Sequence, residues 1–161
     1  MSTTVAIRPE RPDHPQVVAL LDALDAYLGG LYAPEANHIL DVHALRAPDV
    51  HFLAAWHGAR AVGCGAARVM PAEPGTVDEP YGEIKRMFVH PDLRGRGIGE
   101  RLIAALEQAL RARGVRQALL ETGGEQHAAV RLYERAGYAR RGPFGGYPDN
   151  GLSWFYGKRL G

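Results

Sequence analysis

The chain has 161 residues, of which 46% are hydrophobic and 23% are charged, and its formal net charge is +1. This length and balance predict one globular domain over residues 1–161, and the near-neutral charge gives no reason to expect a nucleic-acid or membrane partner. A single cysteine, Cys64, excludes an internal disulfide and any zinc site that needs two thiolates.

The near-neutral total conceals a charge difference between the two halves of the chain. Residues 1–84 carry 5 basic and 11 acidic side chains, whereas residues 85–161 carry 14 and 7. The formal net charges of the two halves are therefore −6 and +7. This difference favours an anionic ligand on the second half and a cationic ligand on the first; the alternative is that it arose by chance. The sequence has no apolar stretch long enough for a signal peptide or a membrane span, so we expect a cytoplasmic protein.

The first half of the chain predicts a strand, a helix, an irregular segment, a hairpin and a loop, in that order. The helix begins after Asp13, which we expect to cap it, and Gly29-Gly30 ends it. In the hairpin, Gly63 and Gly65 weaken the second strand or mark a bulge. The strands are predicted at 3–8, 51–56 and 61–70, the irregular segment at 31–43 and the loop at 71–80.

The second half alternates strands and helices. The predicted strands cover 83–89, 117–121, 138–141 and 152–158, and the predicted helices cover 97–113 and 126–136. This order predicts an α/β or α+β sandwich with one sheet, and we expect the two C-terminal helices to cover its faces.

The glycines are the most informative part of the composition, because 20 of them make up about 12% of the chain against a usual ~7%. Three of them fall in one segment that follows a strand and opens the clearest predicted helix. Its residues are Arg94, Gly95, Arg96, Gly97, Ile98 and Gly99. Glycines allow close backbone approach, a helix N-terminus offers unpaired N–H donors, and arginines suit phosphate oxygens. The segment therefore predicts a phosphate-binding turn.

Two common phosphate-binding motifs fit this segment poorly. A P-loop needs Gly-Lys-Ser/Thr, but Glu100 and Arg101 follow Gly99. A dinucleotide-binding fingerprint needs G-x-G-x-x-G directly after a strand and an acid about 20 residues later. Glu121 lies near that place, yet the glycine spacing differs and five residues separate Val89 from Gly95. A dinucleotide-binding protein stays the weaker alternative.

The segment as a whole resembles the acetyl-CoA motif of the GNAT N-acetyltransferase superfamily. The resemblance covers the strand residues 82–89, the turn His90-Pro91-Asp92-Leu93 and the glycine-rich segment 94–99. Residues 126–138 are similar to the second signature of that family, except that Gln126 stands where the family usually has asparagine. The resemblance implies a single-domain GNAT fold over the whole chain, with a mixed central sheet of about six to seven strands and helices on both faces.

The same resemblance implies acetyl-CoA as cofactor. The main chain of Met87, Phe88 and Val89 would lie along the pantetheine arm, and residues 94–99 would hold the pyrophosphate. The side-chain amides of glutamine and asparagine both donate and accept hydrogen bonds, so Gln126 can replace the usual asparagine. Its longer side chain changes the geometry of a hydrogen bond to the cofactor. The predicted cofactor residues are Met87, Phe88, Val89, Arg94, Gly95, Arg96, Gly97, Ile98, Gly99, Gln126 and Tyr133.

Two residues match the catalytic positions of the family. Acetyl transfer requires an amine that has lost its proton and a donor for the departing sulfur. Glu83 matches the catalytic glutamate of histone-acetylating members and is the expected base, directly or through water; the alternative is a carboxylate paired with Lys85 or Arg86. Tyr133 matches the usual general acid. Glu121 caps the end of its strand or faces the cleft, and the sequence leaves this open.

The expected acceptor is a primary amine of a small molecule or peptide, and a homodimer is possible. Tyr32, Glu35 and Tyr147 fall in the segments that shape the acceptor side in the family, or they are loop-packing and solvated residues. His38 and His43 lack the spacing of a helical metal pair, so we expect no metal site. The remaining alternative to an enzyme is a non-catalytic acyl-CoA-binding regulatory module.

Overall fold

The computed structural model describes residues 4–32 and 39–161. Its strands are β1 (Val5–Pro9), β2 (Val50–His57), β3 (Arg60–Met70), β4 (Tyr81–Val89), β5 (Gln117–Gly123), β6 (Ala139–Arg141) and β7 (Ser153–Arg159). Its helices are α1 (Pro15–Leu31), α2 (Val42–Leu45), α3 (Ile98–Ala112) and α4 (His127–Arg135). A short 3-10 turn, Pro91–Leu93, follows β4. The predicted order of elements is confirmed.

The seven strands form one mixed sheet in the order β1-β2-β3-β4-β5-β7-β6. The β4–β5 pair is parallel and every other neighbouring pair is antiparallel. A parallel pair requires a crossover connection, and α3 supplies it between β4 and β5. The predicted fold class, a mixed sheet with helices on both faces, is therefore confirmed.

The helices are distributed over the two faces differently from our expectation. Both C-terminal helices, α3 and α4, lie on one face, where Leu102, Leu106 and Tyr133 share a core with Ile84 of β4. The opposite face packs against α1, whose Val17 belongs to a separate core. The expectation that α3 and α4 cover both faces was wrong. The apolar side chains of α1 cover the second face instead.

The first helix corrects two local predictions. The cap of α1 is His14, whose side chain accepts from the Gln16 N–H, while Asp13 pairs with Arg11. The helix also continues through Gly29-Gly30 to Leu31. Glycine lowers helix stability by about 1 kcal/mol but does not forbid a helix whose other face is packed on a sheet.

The expected irregularity at Gly63 and Gly65 is present, and part of it belongs to the neighbouring strand. Cys64 pairs with Phe88 and Ala66 pairs with Lys85, so Gly65 faces two residues of β4. One of them, Arg86, has a left-handed φ of +58°. The bulge in β4 places Lys85 and Arg86 in successive positions that both reach toward the α1 face.

The β4–β5 pair opens soon after it begins. Its ladder contains Gly82 with Ala118 and Glu83 with Leu119. Beyond Glu83 the two strands separate, so the edge of β4 from Ile84 to Val89 faces a gap rather than β5. This opening in the middle of the sheet positions the candidate site.

Candidate active site

A cavity of about 840 Å³, hereafter the cofactor groove, lies where β4 and β5 separate. The 3-10 turn, the start of α3 and one side of α4 complete its walls. Ten of the eleven predicted cofactor residues line it, and they are Met87, Phe88, Val89, Arg94, Gly95, Gly97, Ile98, Gly99, Gln126 and Tyr133. Arg96 is exposed and is not part of this lining.

The backbone N–H groups at the start of α3 are not capped by a side chain. Its cap residue, Gly97, has a φ of +77° and makes no side-chain capping bond, and Gly95 has a φ of +79°. These left-handed conformations explain two of the three glycines, because a Cβ would strain each position. Gly99 has another reason, since a Cβ there would lie 3.0 Å from a methyl group of Leu132 on α4. The turn therefore presents N–H groups and the positive helix end to the groove.

Arg94 is held in place at the mouth of this turn. Its Nε donates to the Val89 carbonyl at 2.9 Å, and its guanidinium lies 5.5 Å from the centre of the Phe88 ring. These contacts use one of five donors and leave an exposed cation beside the α3 N-terminus.

A second and smaller cavity of about 90 Å³, hereafter the inner pocket, lies on the α1 side of the same opening. Met87, Gln126 and Tyr133 line both cavities, so the two are continuous. Gln126 is the residue before α4 and its amide makes no capping bond. The inner pocket is otherwise formed by side chains from the ends of α1, β4, β5 and β7.

Tyr133 lies at the junction of the two cavities. Its side chain is buried against the core, with the Tyr138 ring in edge contact at 6.2 Å. Its hydroxyl makes no hydrogen bond to a residue that the structure describes. Burial, and to a smaller degree the negative charge of Glu121, raise the pKa of Tyr133 above its usual value. The phenol is therefore protonated at neutral pH, as a proton donor must be.

Glu83 lies behind the inner pocket rather than in its wall. Its carboxylate is 6% exposed, accepts a hydrogen bond from the Tyr147 hydroxyl, and lies 3.5 Å from Lys85 Nζ. Lys85 also donates to the Tyr147 oxygen at 2.7 Å. Burial, with the charge of Glu83, raises the pKa of Tyr147. The predicted base and the predicted acceptor residue Tyr147 are thus hydrogen-bonded to each other.

Glu121 faces the cleft, which answers the question that the sequence leaves open. It lines the inner pocket from β5, and Ser153 Oγ donates to its Oε2 at 2.7 Å. Among the described residues that line this pocket, Glu121 is the one carboxylate. In the sequence, Glu121 is a charged residue near the end of an apolar strand. That pattern alone does not distinguish a residue that faces a cleft from one at a solvent-exposed strand end.

Tyr32, a predicted acceptor residue, lines the inner pocket, and its ring accounts for one glycine of a second pair. A Cβ on Gly123 would overlap the Tyr32 hydroxyl and ring, and a Cβ on Gly124 would overlap the Trp154 indole. These glycines make room for aromatic rings, and Gly123 lies within β5 rather than after it. The third acceptor candidate, Glu35, lies outside the described residues.

The described part of the chain contains no cluster of three or more histidine, cysteine, aspartate or glutamate residues arranged for a metal ion. Within the same residues, no helix has the length and apolar composition needed to cross a membrane.

Comparison with known proteins gives a consistent picture. The family model described as "Acetyltransferase (GNAT) family" matches residues 17–138. The chain is 46% identical to an IAA acetyltransferase of Azospirillum brasilense, over 97% of this chain and 98% of the relative.

Two solved structures are also similar. A protein of Klebsiella pneumoniae subsp. pneumoniae, assigned as an acyl-CoA N-acyltransferase, is 36% identical with a TM-score of 0.80 over 97% of both chains. The acetyl-CoA complex of Arabidopsis thaliana NAA60 has a TM-score of 0.69 over 98% of this chain and 99% of its own. At 19% identity that second likeness shows the fold alone.

Proposed function

The chain belongs to the acetyltransferase (GNAT) family, and we propose that it moves an acetyl group from acetyl-CoA directly to a primary amine of a small molecule or peptide. It is an acyltransferase with acetyl-CoA as its donor. The amine acceptor and the residue roles are the proposal. One observation carries it: a groove with an open helix N-terminus meets a pocket with a carboxylate, and a buried phenol stands at their junction.

The groove fits a ligand that carries a pyrophosphate. Gly95 and Gly97 turn main-chain N–H groups toward it, the start of α3 is not capped by a side chain, and Arg94 adds a fixed cation. We assign these residues to the pyrophosphate and the β4 edge at Met87, Phe88 and Val89 to the pantetheine arm. Gln126, at the junction, is assigned a hydrogen bond to the same arm.

When bound, acetyl-CoA supplies an acetyl thioester. A main-chain N–H of β4 near the bulge is proposed to donate to the carbonyl oxygen of that group, because this edge has left the β5 ladder. Tyr133 is proposed to hold a proton at its hydroxyl and to donate it to the departing sulfur. Because a phenol is a weaker acid than a thiol, the proton is shared between the hydroxyl and the sulfur in the transition state, while the carbon–sulfur bond breaks.

The amine must lose a proton before it can attack, since an alkylammonium has a pKa near ~10.4. We assign Glu121 to contact with the ammonium, because it lines the inner pocket. Glu83 stays the proposed base and acts through water, because its carboxylate is buried behind Lys85 and Tyr147 and lines neither cavity. Direct contact between Glu83 and the amine is not supported by this geometry.

The proposal is tested by thiol release from acetyl-CoA in the presence of a panel of amines, with mass spectrometry of the products. At least one primary amine is expected to raise release well above background and to gain one acetyl group. A chain that binds acetyl-CoA but acetylates no amine would contradict the amine proposal.

Paired variants separate the two carboxylates. Glu83→Gln is expected to lower kcat by ~100-fold, with the greatest loss at low pH where the acceptor is fully charged. Glu121→Gln is expected chiefly to raise KM for the amine. If instead Glu121→Gln changes the pH–rate profile and Glu83→Gln leaves it unaltered, the two roles are reversed.

A further inference from the structure

The apolar side chains exposed to solvent are concentrated around the inner pocket and the cofactor groove. Four large hydrophobic residues are well exposed among the described residues: Tyr27 at 43%, Ile39 at 40%, Val77 at 72% and Leu152 at 49%. Ile39 and Leu152 line the inner pocket, and Tyr27 lines the groove. Single exposed hydrophobic residues are ordinary, but three around one opening indicate a surface that contacts a ligand.

The inner pocket is too small to hold much more than the reacting end of an acceptor. Its volume is about 90 Å³, against about 840 Å³ for the cofactor groove. The rest of an acceptor must therefore extend outward past Leu28, Ile39 and Leu152. These three side chains form an apolar rim, hereafter the pocket rim.

The charges inside the pocket favour one cation and disfavour a second. Glu121 offers a carboxylate to an ammonium, while Lys85 and Arg86 also line the pocket. Lys85 is paired with Glu83, and the 4%-exposed guanidinium of Arg86 is paired with Asp25 at 2.5 Å. Among the described residues that line the pocket, a second ammonium on the acceptor would meet these cations or the pocket rim, and none of them offers a second carboxylate.

We propose that the acceptor is a primary amine with one positive charge and an apolar body, with its ammonium at Glu121 and its body against the pocket rim. This inference rests on the proposed amine acetylation and adds the class of amine. Amines with a second cation along the chain, such as polyamines, are poor acceptors for the charge reason above.

The test compares amines of similar length in the thiol-release assay. Hexylamine and 2-phenylethylamine are expected to show kcat/KM values at least ~10-fold above those of putrescine and spermidine. A preference for putrescine or spermidine would overturn the inference while leaving amine acetylation in place. If no amine is acetylated, the proposed function itself fails, so the two failures are distinguishable.

Variants of the pocket rim add a matched control. Leu152→Ser is expected to lower kcat/KM for 2-phenylethylamine ~10-fold, with KM for acetyl-CoA unchanged. Val77→Ser removes the one other well-exposed large hydrophobic residue of the described chain, which lines neither cavity, and is expected to leave both constants unchanged. Equal effects of the two variants, or no effect of Leu152→Ser, would overturn the assignment of the rim.

Discussion

The cofactor groove and the inner pocket share Tyr133 but are encoded in different ways. About half of the groove lining comes from one continuous stretch, residues 87–100, which includes the turn with its main-chain N–H groups at the start of α3. The inner pocket collects side chains from α1, β4, β5 and β7, which are far apart in the chain. A main-chain site can be recognised from a local motif, whereas a site built from distant side chains depends on how the strands and helices are packed.

The largest expected effect is at Tyr133, one of the residues that line both regions. Tyr133→Phe removes only the hydroxyl, so the packing against Tyr138 is kept while the proposed proton donor is lost. We expect kcat at saturating acetyl-CoA to fall ~100-fold with little change in KM for acetyl-CoA. Steady-state kinetics measure this, and a kcat equal to that of the wild type would remove Tyr133 from the acid role.

A smaller effect is expected for a change confined to the groove. Gly97→Ala places a Cβ at a φ of +77° before α3, and Gly114→Ala does the same after its C-terminus, where φ is also +77°. Each should destabilise the fold by about 1–2 kcal/mol. Calorimetry with acetyl-CoA is expected to show ~10-fold weaker binding for Gly97→Ala alone.

Gly114→Ala serves as the control because a Cβ there would have nothing within 4 Å. Equal acetyl-CoA affinities for the two variants would show that the conformation of Gly97 does not matter for binding. Neither variant is expected to change the order of preference among amines, since the inner pocket is unaltered.

The smallest expected effect is a change in the pH dependence of stability at the acceptor side. Burial and the charge of Glu83 raise the pKa of Tyr147 above its usual value. Above pH ~10 the unfolded phenol loses its proton while the folded one keeps it, so stability falls as pH rises. Urea unfolding at pH 8 to 11 should show a shallower loss for Tyr147→Phe than for the wild type, and parallel curves would contradict this.

Much of the groove was predictable from sequence because its signals are local. The left-handed turns at Gly95 and Gly97 and the helix that follows them require specific residues at fixed spacing. Arg96 shows the limit of such signals. A charged residue inside a phosphate-binding motif is easily assigned to the ligand, but here its position in the turn places it outside the groove lining.

The inner pocket was only partly predictable. Tyr32 lines it as expected, whereas Tyr147 bonds to Glu83 and lines neither cavity. Gly123 illustrates the reason: in sequence it resembles a strand-ending glycine, and in the structure it accommodates the Tyr32 ring, which is 91 positions earlier. No local pattern contains that contact.

The sequence alone determined the order of elements, the single-sheet α/β class and the glycine-rich turn before α3, because hydrophobic periodicity and glycine conformations act over a few residues. Tertiary structure decided which helices share a face, how far β4 and β5 stay paired, and that Glu121 rather than Glu83 borders the pocket. These depend on competition between distant apolar surfaces for the same side of the sheet, and on a bulge that shifts the direction of the β4 side chains.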